Sequence, residues 1–496
     1  DLHSFPTRRS SDLAIIPNTT SHVTLNNITF VNGKYNSMLW INGNNCIVDN
    51  CTFENNSASY GGAVYISGHD NVIDNCVFEN NSATNSGGAV YIMGCDNSIQ
   101  NSTFKGNGEV YYGGAIAIDN ARNSVYNCTF ENNNAKYYGG AVDIFSTDNV
   151  VDNCTFKNNH VDYYGGAIAL EKNDNLVNNS VFNNNSAGYG GAVYFSAKDN
   201  VIDNCTFENN GALCGGAAYI QSAHNLVNNS VFNNNSANYY GGAVYVIGDN
   251  NVIGNSTFAE NALNEDQGCG AAVYVCGNDV EILNSDFNNH NAYDGGAVKW
   301  LGSNGKIEGS KFNKNTAKCF GGAIHWEGVN GTIEGSKFNE NRARYNGGAV
   351  YVAKPNLIIN GSEFTINSAN GLAGAVYIST DNVTVNNSEF YYNHANDAGA
   401  IDVYGSNNTI DNSTFEYNIA YNDGGAVVMG YYYLNPAGQL NNTIRASKFS
   451  DNKAARYGGA VRIDSEGDTI DASEFYYNNA QIGGAVSING KHNNID

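Results

Sequence analysis

Phe53-Glu54-Asn55-Asn56, followed at once by the run ending Gly61-Gly62-Ala63-Val64-Tyr65-Ile66, sets the architecture of the chain. The phrase returns about every 26 residues. Its Gly-Gly-Ala block, or a near copy, begins at 17 positions, from Gly61, Gly87 and Gly113 through Ala373 and Ala398 to Gly458 and Gly483. A fixed period of this length marks a solenoid, in which each unit contacts only its neighbours. Function then resides in ladders of surface residues or in the units that break the pattern.

Residues 71–96 show what one unit builds. Val72-Ile73, Cys76-Val77-Phe78 and Ala89-Val90-Tyr91-Ile92 are short runs of period two, rich in β-branched and aromatic residues. Asn, Gly and Ser fill the turns between them. Three short strands and three turns describe one coil of a parallel β-helix, and coils of this length suit the right-handed class. The predicted fold is all-β: a single right-handed parallel β-helix of about 18 coils, elongated and monomeric.

Eighteen of the 22 phenylalanines fall once per coil, from Phe30 to Phe475, and predict an aromatic stack along the axis. Each buried Phe, Val or Ile adds roughly 1.5–3 kcal/mol. Asn follows that Phe by three residues in every coil from Asn56 to Asn478, except at His290. A fixed Asn there suits a left-handed turn and side-chain stacking between coils. Paired glycines allow a tight backbone where Cβ atoms would clash. Of 11 cysteines, Cys51, Cys76, Cys128, Cys154 and Cys205 share one repeat position with serines such as Ser102 and Ser180. That exchange asks for a small buried side chain, not a disulfide.

Residues 1–13 carry none of the pattern. They read as a translated sequencing-adapter oligonucleotide, unstructured and outside the fold. Residues 14–41, with Ser37-Met38-Leu39-Trp40-Ile41 in place of Gly-Gly-Ala, read as a degenerate first coil or cap. The repeats fill 42–496. The expectation is of a chain truncated at both ends, so neither a leader nor an anchor is legible. A net charge of -23 argues against nucleic acid or anionic lipid as partner. No apolar run is long enough to insert into a membrane as a helix.

The pairing of F-x-x-N with G-G-A-[ILV] resembles the repeats of chlamydial polymorphic outer-membrane proteins. The style of Asn200-Val201-Ile202-Asp203-Asn204-Cys205-Thr206-Phe207 is still more similar to adhesin-like surface proteins of methanogenic archaea. The resemblance covers residues 25–496. It implies an extracellular, secreted or wall-attached adhesin whose partners are glycans or proteins of another cell or a matrix. N-x-[ST] sequons suit an extracellular glycoprotein, although the repeat generates them freely.

Catalysis on a β-helix needs clustered carboxylates, one to protonate a leaving group and one to activate water. The N-T-D, D-D, G-H-G and R-I-K stretches of pectin-type hydrolases do not occur, and Arg462-Ile463-Asp464 is the nearest fragment. In the outward place of the Gly-Gly-Ala strand, Asp143 and Asp402 each lack a carboxylate neighbour in the same row. Lys299 beside His325 reads as a solvated pair. No catalytic residue and no cofactor is expected, and a polysaccharide-active enzyme or a structural wall spacer is the alternative reading. Tyr194, Tyr219, Tyr245 and Tyr274 fill the same row on four successive coils. They predict a flat exposed aromatic strip for sugar rings or another protein. Asp148, Asp174 and Asp199 stack at one turn and read as a solvated ladder with no metal, a bridging Ca²⁺ being the alternative. Insertions near 261–268 and 430–440 predict protruding loops, the second carrying Tyr431, Tyr432 and Tyr433 as ligand contacts.

Overall fold

The computed structural model describes residues 14–430 and 440–496. They gather into two compact units, 14–238 with 242–248, and Tyr239–Gly241 with Asp249–Asp496. Among the described residues there is no helix, so none is long and apolar enough to cross a membrane.

Both units are built from the predicted coil. In the first, Val72–Asp74, Val77–Glu79 and Val90–Ile92 pair in parallel with Ser98–Gln100, Thr103–Lys105 and Ile116–Ile118. In the second, Glu281–Leu283, Asp286–Asn288 and Val298–Trp300 pair with Lys306–Glu308, Lys311–Asn313 and Ile324–Trp326. The fold class read from the repeat is the one observed: a parallel β-solenoid of about 18 coils, three strands to a coil, counted by the phenylalanines. The strands Ala14–Ile16 and Leu39–Ile41 join the Gly-Gly-Ala sheet in register with Val64–Ile66.

Those phenylalanines form the expected column inside each unit. From Phe30 to Phe78 the rings stack 4.8 Å apart and within 5° of parallel. From Phe258 to Phe312 they stack at 4.7–4.8 Å. In-register parallel strands impose this spacing, so one residue type repeated at one position must stack upon itself.

The asparagine three residues after Phe is buried from Asn56 to Asn452, and it is not the left-handed residue. That conformation belongs to the residue before it, such as Asn55, Asn80 and Asn132, with φ of 54–57°. The expectation of a left-handed turn was therefore one position out. The buried asparagines instead form a polar ladder. Asn56 N–H and Nδ2–H both donate to Asn81 Oδ1, at 3.1 and 3.0 Å, and Asn81 Nδ2 donates to Phe53 O at 2.9 Å. One side chain thus satisfies two backbone groups of the preceding coil and a neighbour of its own kind.

His290 takes this place without breaking the ladder. Its Nδ1–H donates to Asn315 Oδ1 at 2.9 Å, and its Nε2 accepts from Asn261 Nδ2 at 3.2 Å. Burial lowers its pKa to about 4.

The Cys/Ser position has a like logic. Cys76 Sγ accepts the Cys51 N–H at 3.4 Å, and Ser102 Oγ accepts the Cys76 N–H at 3.0 Å. Sulfur and hydroxyl oxygen both fit and both accept. All 11 cysteines are free.

The glycine pairs are likewise a matter of space. Gly190 has a φ of +64°, and a Cβ on Gly191 would lie 2.1 Å from Gly216 O. Two further departures lie in the second unit. Trp300 and Trp326 stack at 4.7 Å, and their Nε1–H groups donate to Gly302 O and Gly328 O at 3.0 and 2.8 Å. At 261–268 the extra residues turn on a Gly268 N–H to Glu265 O bond of 3.0 Å, and Asp266 reaches Lys318 Nζ at 3.0 Å.

Candidate functional site

The segment before each glycine pair, expected as a simple turn, is a fourth short pairing segment. In the first unit it comprises Ser57–Tyr60, Ser82–Ser86, Val110–Tyr112, Asn134–Tyr138 and His160–Val161. Its inward residues Ala83, Val110, Ala135 and Val161 make a small apolar cluster of their own. Because neighbouring strand residues face opposite ways, this arm carries two rows of tyrosine.

The inner row lies over the Gly-Gly-Ala strand. Tyr138, Tyr164 and Tyr189 stack at 5.3 Å. Tyr164 and Tyr189 rings lie 4.6 and 5.2 Å from Tyr194 and Tyr219. The expected exposed strip is therefore covered. Tyr194 is only 4% exposed, Tyr219 is also buried, and Tyr245 is half-buried. In the second unit Tyr274 is buried, with Tyr240 at 4.7 Å. The arm's rings supply apolar cover that a three-strand reading of the coil leaves out.

The outer row is what solvent meets. Tyr111 is 45% and Tyr163 46% exposed, with Tyr137 half-buried between them. Their centroids step by 5.4 and 5.5 Å. Lys136 Nζ stands 5.2 Å from the Tyr137 centroid and 5.8 Å from that of Tyr111, within cation–π reach. Beside them runs a shallow groove of about 470 Å³, with Glu109, Asn134, His160 and Asp162 on its walls. The doublets Tyr111-Tyr112, Tyr137-Tyr138 and Tyr163-Tyr164 were the sequence signal for both rows.

The covered row also holds the charges that looked solvated. Lys299 and His325 are buried. Lys299 Nζ lies 2.9 Å from His325 Nδ1 and 2.7 Å from Glu327 Oε1, with Asp294 Oδ2 at 3.9 Å. Glu327 Oε1 is 3.1 Å from His325 Nε2, but off the line of a hydrogen bond, so Nε2 has no hydrogen-bond partner. The His325 ring first, and Lys299 after it, hold Glu327 down at about 2. The pair is an internal charge cluster closed by acids from the neighbouring turns.

Asp143 does have a carboxylate neighbour. It is Glu171, two residues beyond the row position on the next coil, which a comparison within the row misses. Asp143 is fully buried, and both its oxygens and Glu171 Oε1 lack hydrogen-bond partners. Burial, then repulsion from Glu171, raises Asp143 well above the ordinary range, and burial raises Glu171.

Asp402 lies in the second unit on the wall of a cleft of about 450 Å³. It is 2% exposed. Burial, then Asp397 and Asp464, raises its carboxyl well above the usual value. Arg462 forks onto Asp464, with Nε to Oδ2 at 2.7 Å and Nη2 to Oδ1 at 2.9 Å, and its Nη1 pairs with Asp423 Oδ2. Arg456 also reaches Asp423 Oδ2, at 2.9 Å. This cluster gathers acids from three coils, which no single repeat displays.

Asp148 and Asp174 are exposed and Asp199 half-buried, all three left-handed at successive turns with φ of 59–61°. Lys198 Nζ approaches Asp199 at 3.4 Å, and Thr147 Oγ1 donates to Asp148 at 2.8 Å. Among the described residues no three His, Cys, Asp or Glu converge as a metal-binding group. Tyr431, Tyr432 and Tyr433 lie outside the described residues.

The family described as right handed beta helix region matches residues 13–139, 42–197 and 113–252. No curated protein matches the chain. Among solved structures, the PL6-family alginate lyase AlyGC is similar at 10% identity and a TM-score of 0.27, with 96% of each chain covered. The tailspike protein of E. coli bacteriophage HK620, in complex with a pentasaccharide, is similar at 14% identity and a TM-score of 0.30, over 79% of this chain and 73% of that one. The A-module of the Azotobacter vinelandii mannuronan C-5 epimerase AlgE4 follows at 12% identity and 0.18, with 90% of each covered. These similarities are too distant to carry chemistry across. Family match and strand pairing agree on one point: the chain is built as a right-handed parallel β-helix.

Proposed function

We propose that the protein is a non-enzymatic, adhesin-like β-helix of the cell surface or extracellular space that binds glycans of another cell or a matrix. The observation that carries this reading is the outer tyrosine row. Tyr111, Tyr137 and Tyr163 stand about 5.4–5.5 Å apart beside an open groove, with Lys136 against two of the rings. Aromatic faces offer apolar area to the C–H face of a sugar, and the groove's Asn134, Glu109 and Asp162 offer hydrogen bonds to its hydroxyls. An exposed apolar row rimmed by polar groups is a recognition surface in its own right. The repeat style that resembles adhesin-like surface proteins supports the same reading.

The test is retention on a glycan array and on intact cells. Replacing Tyr111, Tyr137 and Tyr163 together by Ala is expected to weaken retention at least tenfold while leaving the β-sheet circular dichroism intact. Unchanged retention would discard the tyrosine row. A polysaccharide panel assayed for new reducing ends or unsaturated products separates the enzyme reading, since turnover of any member would replace adhesion by catalysis.

A further inference from the structure

In the second unit, four carboxyl groups and two guanidinium groups meet around the 450 Å³ cleft. Both guanidiniums pair with Asp423, and Arg462 also with Asp464. Two carboxyls are left over. Asp397 accepts the Asp423 N–H at 3.1 Å through Oδ1. Asp402 has no hydrogen bond or ion pair among the described residues, although it is 2% exposed and lines the cleft. Burying a carboxyl without a partner costs several kcal/mol unless something satisfies it. A hydrophobic replacement would avoid that cost, and Val428 stands in the same row one coil further on.

The geometry points to a binding cleft for a primary ammonium group carried on a saccharide, an amino-sugar residue whose nitrogen sits between Asp402 and Asp397. The excess of carboxyls over guanidiniums calls for a cation. An ammonium group supplies three donors, enough for the unpartnered Asp402 and for Asp397 beside it. No three acids converge closely enough for a metal among the described residues. The cleft volume is in the range of small-ligand sites. Tyr457, Val428, Ile482 and Ile488 give it apolar wall, and Ser487 and Asn489 give it hydroxyl partners. That mixture suits a pyranose better than the bare stem of a basic side chain. Both leftover carboxyls are raised by burial and by their acidic neighbours. Entry of the ammonium draws both back down, and so is linked to proton release where they titrate. The cleft and the tyrosine row are built by different units, so each can fail without the other.

The experiment is calorimetry of the whole chain with a glucosamine tetramer, in buffers of different ionisation enthalpy. The expected result is binding with net proton release over the pH range in which these carboxyls titrate. The N-acetylated tetramer should bind at least tenfold more weakly. Asp402→Asn should abolish most of the release and weaken binding at least tenfold, and Asp397→Asn should reduce both. Thermal melts report whether the variants fold. Equal binding of the acetylated sugar, binding without proton release, or an unaltered Asp402→Asn variant would overturn the proposal. A lysine-rich peptide that binds as tightly as the sugar would overturn the saccharide assignment.

Discussion

The Trp300 indole fills the space that a side chain at position 305 would need. A Cβ on Gly305 would fall 2.1 Å from Trp300 Cζ2, and Gly331 stands in the same relation to Trp326 at 2.0 Å. In the first unit the corresponding positions hold Asn71, Asn97 and Asn123, a second ladder in which Asn97 Oδ1 accepts the Asn71 N–H at 3.0 Å. The tryptophans and glycines are thus one coupled exchange for an asparagine.

Gly305→Ala follows from that contact. Overpacking of this kind costs about 1–3 kcal/mol. The melting temperature should fall, and the tryptophan fluorescence should shift as the stacked indoles part. A melt and an emission spectrum unchanged from the native protein would deny the coupling.

Asn367→Ala probes the inner ladder. Asn367 Oδ1 accepts from Asn341 N and Nδ2, and its own Nδ2 donates to Phe338 O and to Asn393 Oδ1. Truncation leaves buried partners unmet, at about 1–3 kcal/mol for each group. A loss of at least about 3 kcal/mol in urea unfolding is expected. A surface asparagine such as Asn370, replaced in the same way, should cost far less.

His290 sets an acid limit. Its folded pKa of about 4 lies below the ordinary 6.5. The unfolded chain therefore takes up the proton first, and stability falls as pH drops from about 6.5 towards 4. The whole effect is on the order of 3 kcal/mol. His290→Asn, which restores the ladder residue, should flatten the melting temperature across that window. An identical pH profile would show that the ring is not held neutral.

Asp143 carries the opposite sign. Its folded pKa is raised, so its contribution to stability is fully present below the unfolded value near 3.8 and is lost as pH rises through the folded one. Asp143→Ala puts in this row the residue that Ala117 and Ala169 already place on either side. It should stabilise the protein at neutral pH by roughly 1–3 kcal/mol. The gain should shrink on acidification. Destabilisation at pH 7 would mean that the carboxyl has a partner.

The coil was legible because every element of it is repeated. Phe104, Asn107 and Gly113 announce themselves by recurring, and one-dimensional stacking turns a recurrence into a contact. The covered tyrosines were not legible in the same way. Tyr194 alternates outward from a strand, as read, but what lies over it is Tyr164, thirty residues earlier in the chain. The acids around Asp402 are harder still. Asp397 and Asp423 share one place, just before the glycine block, but Asp402 and Asp464 occupy two others, so an alignment of coils shows one pair and not the cluster. Repetition reveals the scaffold, and chemistry gathers where repetition fails.

Since the buried asparagine of one coil meets the next coil through the same bonds wherever it occurs, a stretch of one period is a self-contained building block. Gain or loss of such a block by unequal crossover between repeats of the gene would leave Phe upon Phe and Asn upon Asn at the new junction. Places where neighbours are matched only to each other, as at Trp300 and Gly305, are where such exchange would leave a scar.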